Sequence, residues 1–388
     1  MIRTLRSLPA AAAAGVWLAG AWLAGMAAAA DPATGARALV LEPVIGPDGA
    51  PFVERGWTVW QLAGTRSRFE EGRLALVSGL LARSPETSPP PAPALSAPRE
   101  VVPGAPLRVY LWATQPLARV QVKVQTAAGT LVSARAFAAE RAAGDPRTGV
   151  WVAVFGIPST AEQGIARLMV AGDGGAEAGG AGVLEIAQPL FVGARRFGEE
   201  EIPLRKGLGD LRRGDDPVRA EQARELWALL GTWRPVDDGH TERLRYPVVG
   251  ARRSAGFGDR RLYRYDDGAT DRSIHNGVDL AAPEGTVVVA AGAGTVVMAR
   301  FRIVTGLTVV IEHLPGVYSL YYHLSRLNVA VGERVEPGMA LGAVGSTGLA
   351  TGPHLHWEVR AGGVAVDPDV LVTTPLVDIP DDLVTLFP

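Results

Sequence analysis

The chain has 388 residues, with 38 Lys plus Arg against 40 Asp plus Glu, so its net charge is near zero and argues against nucleic acid as a partner. It contains no cysteine, which excludes disulfides, thiolate metal ligands and thiol nucleophiles. Any metal must therefore be held by His, Asp or Glu. The 47 Gly and 29 Pro favour short strands and many turns over long helices.

Residues 1–30 have the pattern of a secretory signal peptide. Arg3 and Arg6 precede an Ala- and Leu-rich stretch whose last three residues, 28–30, are alanines that fit a cleavage site. We therefore predict an exported protein, periplasmic or associated with the cell envelope, with no stable membrane span after cleavage. The alternative is an uncleaved anchor, because the apolar run is almost long enough to cross a bilayer.

The next part of the chain is predicted to be all-β. Residues 31–98 contain the candidate strand Trp57–Leu62 and end in the Pro-rich stretch Ser84–Pro98, which is typical of an extended linker. Residues 99–193 hold short alternating runs separated by Gly-, Pro- and Asp-rich turns, which predicts an immunoglobulin-like β-sandwich. A different all-β topology is the alternative. A regulatory protein partner, if there is one, would dock on residues 31–193.

Residues 194–245 are predicted to be a helical linker. Asp216 is a suitable N-cap, Pro217 suits the first helical position, and Gly231 suits the exit. The apolar residues of the helix share one face, which we expect to pack between the domains. These residues are Ala223, Leu226, Trp227 and Leu230. A solvent-exposed linker helix is the alternative.

Residues 246–375 are predicted to form a second β domain, which is followed by a C-terminal tail at 376–388. Glycine-punctuated strands recur here, and a related phrase appears twice, at Pro283-Glu-Gly-Thr and at Val331-Gly-Glu-Arg-Val. This pattern predicts a small antiparallel β-barrel-like domain built from related hairpins.

Four of the six histidines fall in three short motifs of this domain, and these motifs suggest a zinc site. The motifs are His275-Asn-Gly-Val-Asp279, Tyr322-His323-Leu324 and Gly352-Pro-His354-Leu-His356. On a strand, His354 and His356 point to the same side. They can chelate one zinc together, or supply one ligand and one catalytic base, and spacing alone does not decide between these. Gly277 is expected to permit a turn that lets His275 and Asp279 converge.

Each motif also has a purely structural interpretation. A lone histidine in an apolar strand, such as His323, is more often packed and hydrogen-bonded than catalytic. We assign that structural interpretation to His313 and His240, which lie outside the motifs. The combined set is stronger evidence than any single motif, because a chain so poor in histidine concentrates them here.

Taken together, the motifs resemble the lysostaphin-type zinc metallopeptidase family, whose domain is called LytM. The segment Gly345-Ser-Thr-Gly348 before the last motif and Gly256-Phe-Gly258 at the start of the domain fit the same resemblance. The resemblance implies a peptidoglycan endopeptidase that cleaves amide bonds with zinc-activated water. It implies that one zinc per chain is held by three residues and that two histidines form the catalytic pair. The implied ligands are His275, Asp279 and His356, and the implied pair is His323 and His354.

The sequence also bears on three alternatives to a peptidoglycan endopeptidase. A catalytically silent regulator of a cell-wall amidase would be expected to lack motif residues, and this chain retains all five. A lipoyl or biotinyl carrier domain would need an attachment lysine, but no lysine follows Lys206. A wall-binding protein that uses the β-sandwich stays an alternative.

Overall fold

The structure is a computed structural model in which strands dominate, as predicted. It describes residues 41–43, 53–54, 57–62, 68–70, 73–75, 94–113, 117–141, 149–174, 183–234 and 239–379. The predicted signal peptide, residues 84–93 of the predicted linker and residues 380–388 of the predicted tail lie outside this part of the chain. Within it, no helix combines the length and the apolar character needed to cross a membrane.

The described part of residues 41–192 contains fourteen strands. They are β1 Leu41–Pro43, β2 Val53–Glu54, β3 Trp57–Leu62, β4 Arg68–Glu70, β5 Arg73–Ala75, β6 Ala94–Pro98, β7 Glu100–Val101, β8 Pro106–Ala113, β9 Leu117–Thr126, β10 Gly129–Arg135, β11 Phe137–Arg141, β12 Gly149–Gly156, β13 Gly164–Gly174 and β14 Val183–Val192. One sheet has the order β1-β3-β6-β8-β12-β11, with β2 paired to β3. A second has the order β10-β9-β13-β14-β7, and β4 pairs with β5.

The two larger sheets share one apolar core, because alternate side chains of each strand point to the same face. Leu107 and Leu111 of β8 are buried in this core with Val120 and Val124 of β9. Two packed sheets therefore occupy the region where a sandwich is predicted, and its immunoglobulin-like topology stays a prediction. The predicted linker extends too far, since its last residues, Ala94–Pro98, form β6 and pair with β3 and β8.

Strand β15 (Glu199–Leu204) and helices α1 (Lys206–Arg213) and α2 (Pro217–Leu230) make up most of the predicted helical linker. The start of α2 is confirmed, because the Asp216 carboxylate accepts a hydrogen bond of 2.8 Å from the backbone N–H of Val218. Gly231 follows the helix as predicted. Its φ of −83° is helical, however, so the helix ends without a left-handed residue.

Helix α2 packs on the C-terminal sheet, and the prediction that it lies between the domains is wrong. Leu230 is buried among Tyr318, Leu320 and Tyr322 of that sheet, and Leu226 packs against the same cluster. Trp227, predicted to belong to the buried face, has 54% of its surface exposed. The helix is therefore part of the C-terminal domain.

Besides α2, the C-terminal domain contains twelve strands and a short helix. They are β16 Arg252–Ala255, β17 Arg260–Tyr265, β18 Thr270–Ile274, β19 Gly277–Ala281, β20 Val287–Val289, β21 Gly294–Arg302, β22 Gly306–Leu314, β23 Val317–Leu327, β24 Arg334–Val335, β25 Ala340–Val344, β26 His354–Ala361, β27 Val364–Val366 and α3 Pro368–Thr373. The main sheet follows β16-β19-β26-β23-β22-β21-β24, and β15-β17-β18 form a smaller sheet beside it.

The predicted barrel-like closure is not observed within the described residues. The end strands β16 and β24 pair only with β19 and β21, respectively, and not with each other. The reason lies in β23, whose first half pairs with β26 and whose second half pairs with β25. The sheet therefore branches at β23 instead of closing.

The first sheet of the sandwich packs its outer face against the C-terminal domain. Tyr110 and Trp112 of β8 belong to the same buried cluster as Trp357 and Val366 of the C-terminal sheet. Gly156 packs so closely against β27 that a Cβ atom at this position would lie 2.7 Å from the Val366 side chain. The two regions are thus joined by a continuous apolar core.

Candidate metal centre

Neighbouring strands bring the predicted site residues together. In the antiparallel pair β19–β26, Asp279 lies directly opposite His356. His354 precedes His356 by two residues and so shares its face of the sheet. His275 stands just before β19. The sequence-predicted ligands therefore converge on one face, and their side chains are buried.

Three side-chain atoms meet at the centre of this face. The Nε2 atom of His275 is 3.1 Å from Oδ1 of Asp279 and 2.9 Å from Nδ1 of His356. The Nδ1 atom of His356 is also 2.9 Å from Oδ1 of Asp279. These residues form a group that could hold a metal ion.

Each of the three residues has a second contact that orients it. The Nδ1–H of His275 donates to the carbonyl of Gly256 at 2.6 Å, so its Nε2 presents a lone pair to the centre. The Nε2 atom of His356 faces Oε2 of Glu358 at 3.5 Å. The second oxygen of Asp279 accepts from Arg261 at 2.6 Å. Two imidazole nitrogens and one carboxylate oxygen aimed at a point fit a cation such as zinc.

The electrostatics of the three residues are strongly coupled. Burial lowers the pKa of His275. Burial alone would raise the pKa of Asp279, but its contacts with the imidazoles of His275 and His356 hold it well below its ordinary value. Burial opposes the charge on His356, yet Asp279 and Glu358 raise its pKa to about 9. The two neighbouring carboxylates therefore favour the protonated form of His356.

His323 reaches the same face through an unusual backbone conformation. Its φ is +61°, and it is the one non-glycine residue with positive φ in the described part of the chain. Because alternation would turn the residue after Tyr322 to the other face, this φ lets both side chains lie beside His356. The Tyr322 ring stacks on the His356 ring at 5.2 Å, and the His323 ring is 6.4 Å away.

The His323 conformation is held by hydrogen bonds. Its backbone N–H donates to Thr305 and its Nδ1–H donates to the Thr347 carbonyl, both at 2.8 Å. A non-glycine residue at positive φ costs on the order of 1–3 kcal/mol, which such contacts must offset. The loop around Gly345–Gly348 therefore contributes a carbonyl that fixes which His323 nitrogen is protonated.

His354 is oriented in the same way as His323. Its Nδ1–H donates to the Gly352 carbonyl at 2.8 Å, and its ring centre is 4.9 Å from that of His323. Its Nε2 atom lies 3.7 Å from Oδ1 of Asp279. Burial, with His354 and His356 nearby, lowers the pKa of His323 to about 3, so this ring is neutral near pH 7. The His323 ring therefore keeps an unprotonated Nε2.

Gly277 is needed for close packing, and the prediction that it permits a turn is wrong. The residue begins strand β19, and its φ is not positive. A Cβ atom at this position would lie 2.3 Å from the Trp357 carbonyl and 2.9 Å from Nε2 of His356. Only glycine lets β19 approach β26 closely enough for Asp279 to meet His356.

A cleft of about 280 Å³ opens above these residues. Asp279, His323, His354 and His356 line its floor. One wall comes from β15, and the loop before His354 forms another. Strand β15 lies in the segment predicted to be a helical linker, so its place in the cleft was not predicted. No residue of β1–β14 lines this cleft.

The two histidines outside the motifs are structural, as interpreted from the sequence. His313 is fully buried, with Nδ1 bonded to the Ala293 carbonyl at 2.6 Å and Nε2 to Ser319 Oγ at 2.7 Å. Burial lowers its pKa to about 4, which keeps it neutral. His240 contacts the carbonyl of Arg243 and does not line the cleft.

Sequence reasoning missed the residues that orient the site. Arg261 and Glu200 belong to no recognisable motif. Thr347 acts through its carbonyl, which every residue possesses. Glu358 was detectable in principle, because it follows His356 by two residues and so shares its face of strand β26.

Comparison with known proteins finds similarity in the C-terminal domain. Residues 273–368 match the model of peptidase family M23. The DD-carboxypeptidase/endopeptidase Mpg of Neisseria meningitidis serogroup B is 42% identical over 130 residues, which are 33% of this chain and 29% of Mpg. The peptidoglycan DD-endopeptidase ShyA of Vibrio cholerae is 41% identical over 185 residues, 45% of this chain and 42% of ShyA.

A third relative has a different described role. The murein hydrolase activator EnvC of Escherichia coli is 34% identical over 140 residues, 35% of this chain and 33% of EnvC. The matched region spans less than half the length of each of these three relatives.

Proposed function

Because this chain carries a peptidase family M23 domain, we propose that it is an exported zinc metalloendopeptidase. Its substrates would be amide bonds in the stem peptides or cross-links of peptidoglycan. The observation that carries the proposal is the convergence of three ligand atoms at a cleft that is lined by two of the three ligand residues, Asp279 and His356, and by His323 and His354. The predicted signal peptide at residues 1–30 would deliver the protein to the periplasm or cell envelope.

His275, Asp279 and His356 would hold one zinc ion. Their donor atoms lie 2.9–3.1 Å apart, and each residue has an outer contact that fixes its orientation. A bound zinc ion supplies Lewis acidity and lowers the pKa of water from about 15.7 toward 7. Three protein ligands leave the fourth position of a tetrahedral site open, as catalytic zinc sites require.

His323 and His354 would transfer the protons. Their Nδ1–H groups are engaged by the carbonyls of Thr347 and Gly352, so Nε2 is the nitrogen of each ring that would take part in proton transfer. One Nε2 can accept a proton from the attacking water. The resulting imidazolium can then stabilise the negative charge on the tetrahedral intermediate. Such a positioned base typically contributes about 10²–10⁴-fold to the rate. The chain has no cysteine, which agrees with direct hydrolysis by water.

Peptidoglycan is favoured as the substrate by the relatives. Two of them are described as DD-endopeptidases or carboxypeptidases, and ShyA is described as acting on peptidoglycan. A wide cleft that is open to solvent suits a peptide held in a polymer.

The test is digestion of purified peptidoglycan by the protein, with and without a metal chelator, followed by mass analysis of the soluble products. The expected result is release of fragments with new amino and carboxyl termini, loss of that release with chelator, and recovery when zinc is added. A preparation with full zinc content that releases no fragments would contradict the proposal.

The second candidate is a silent regulator of a cell-wall amidase, which the similarity to EnvC favours. In that case the protein would stimulate an amidase equally well with and without the Asp279→Ala substitution. The intact site argues for the enzyme instead, since a pure regulator has no need to orient five residues. Residues 31–193 would position substrate or dock a regulatory partner in either case.

A further inference from the structure

Arg261 makes two contacts that connect the site to the rest of the domain. Its Nη2–H group donates to Oδ2 of Asp279 at 2.6 Å, and its Nε–H donates to Glu200 at 2.9 Å. The side chains of Arg261 and Asp279 are only 13% and 10% exposed. The guanidinium is thus held between a proposed metal ligand and the strand β15.

The contact with Oδ2 determines how Asp279 faces the site. The other oxygen, Oδ1, is the one that approaches His275 and His356. A carboxylate with both oxygens free can chelate a metal through both. A carboxylate whose second oxygen is held by a planar, always-charged guanidinium presents one oxygen.

The contact with Glu200 places a negative charge next to the positive charge of Arg261. A positive guanidinium next to a cation site opposes the binding of a metal ion. Glu200 lies on β15, which runs parallel to β17 with Glu200 next to Arg261. Its carboxylate offsets the charge of Arg261, and it leaves the hydrogen bond to Asp279 in place.

We propose that Arg261 is a positioning residue that restricts Asp279 to one-oxygen ligation of the metal, and that Glu200 of β15 holds it there. This proposal rests on the metal site of the proposed function. It gives β15, which lies outside residues 273–368, a defined role in the site.

The experiment replaces zinc with cobalt(II) in the full chain and compares Arg261→Gln with Arg264→Gln. Arg264 is a matched control, because it also lies on β17 and pairs with β15 through Glu201 but does not contact Asp279. We expect the cobalt(II) form of Arg261→Gln to absorb less visible light, because a second Asp279 oxygen raises the coordination number of the metal. We also expect the metal dissociation constant of this variant to change by about 10-fold or more. Arg264→Gln should match the wild type in both.

A second variant covers the case in which Arg261→Gln does not fold. Arg261→Lys keeps the charge but loses the planar fork, so it cannot hold Asp279 and Glu200 in the same way. Its cobalt spectrum should shift in the same direction by a smaller amount. A wild-type spectrum in either Arg261 variant would overturn the proposal.

These measurements use no peptidoglycan, so they separate two kinds of failure. If the wild-type protein takes up no cobalt, the proposed metal site is wrong and Arg261 loses its role with it. If the wild type binds cobalt but digests no peptidoglycan, the proposed activity fails, and the spectra still decide the role of Arg261.

Discussion

The sandwich and the C-terminal domain are both built from strands, but they bury different chemistry. In the described part of the sandwich, Ser96 and Gln188 are the only polar side chains classed as buried. The C-terminal domain buries histidines, carboxylates and arginines, including His275, Asp279 and Glu358. Burying a polar group costs free energy unless it is hydrogen-bonded, and burying a charge costs more.

This difference points to the C-terminal domain as the functional part of the chain, without reference to motifs. A domain selected for stability alone has no reason to bury a carboxylate between two histidines, whereas a ligand site requires it. The sandwich core is held by apolar packing, and the C-terminal site by paired and hydrogen-bonded groups. Substitutions in the two regions should therefore have different effects.

The largest effect is expected from removing a proposed ligand. Asp279→Ala should abolish both zinc binding and peptidoglycan hydrolysis, because two histidines alone leave the donor set incomplete. Zinc content by elemental analysis and release of soluble fragments are the two readouts. The control is Asp266→Ala, which removes an exposed carboxylate from the β17–β18 turn. If Asp279→Ala kept its zinc, the ligand assignment would be wrong.

A large effect on the rate alone is expected from the proposed catalytic pair. His323→Ala should keep zinc and lose activity by about 10²–10⁴-fold, the usual contribution of a positioned base. His240→Gln serves as the control histidine variant and should leave the rate unchanged. Near-normal turnover in His323→Ala would mean that this residue is structural.

A core substitution in the sandwich should change the stability of the protein and not its metal binding. Leu168, on β13, is fully buried in the sandwich core, and Leu168→Ala should lower the free energy of unfolding by about 2–5 kcal/mol. Ile165→Ala on the same strand removes a side chain that is 82% exposed and should change stability little. Zinc content of the folded protein should stay the same in both. A loss of zinc in Leu168→Ala would show that the two regions are coupled.

The smallest of these effects is expected from the residue behind His356. Glu358→Gln removes the charge that faces Nε2 of His356 and should weaken metal binding by about 10–100-fold without abolishing it. Chelator competition measures the dissociation constant, and the exposed Glu336→Gln is the control. An unchanged constant would mean that Glu358 serves only its ion pair with Arg360.

The sequence was most informative where short-range rules apply. The i, i+2 rule placed His354 and His356 on one face, and the capping residues located the start of α2 at Asp216. The family resemblance implied that His275, Asp279 and His323 converge with these two histidines, which the spacing of the motifs could not predict. The structure groups His275, Asp279 and His356 as residues that could hold a metal ion, and the roles of His323 and His354 stay a prediction.

Long-range contacts were not predictable in the same way. The β15–β17 pairing that brings Glu200 to Arg261 is parallel and depends on how the linker crosses the cleft. The positive φ of His323 lies where β23 changes its partner from β26 to β25, and no local pattern encodes that change. The sequence singled out Gly277, but for the wrong reason. The glycine is required by its close contact with Trp357, which lies 80 positions away in the chain and could not be predicted from local patterns.

The central claim is that the two histidines of the H-x-H motif have different roles. The most direct test is the zinc content of His356→Ala and His354→Ala, purified in parallel and dialysed against the same buffer. The account predicts that His356→Ala contains no zinc, and that His354→Ala contains one zinc per chain but is inactive. Equal zinc retention in the two variants would contradict it.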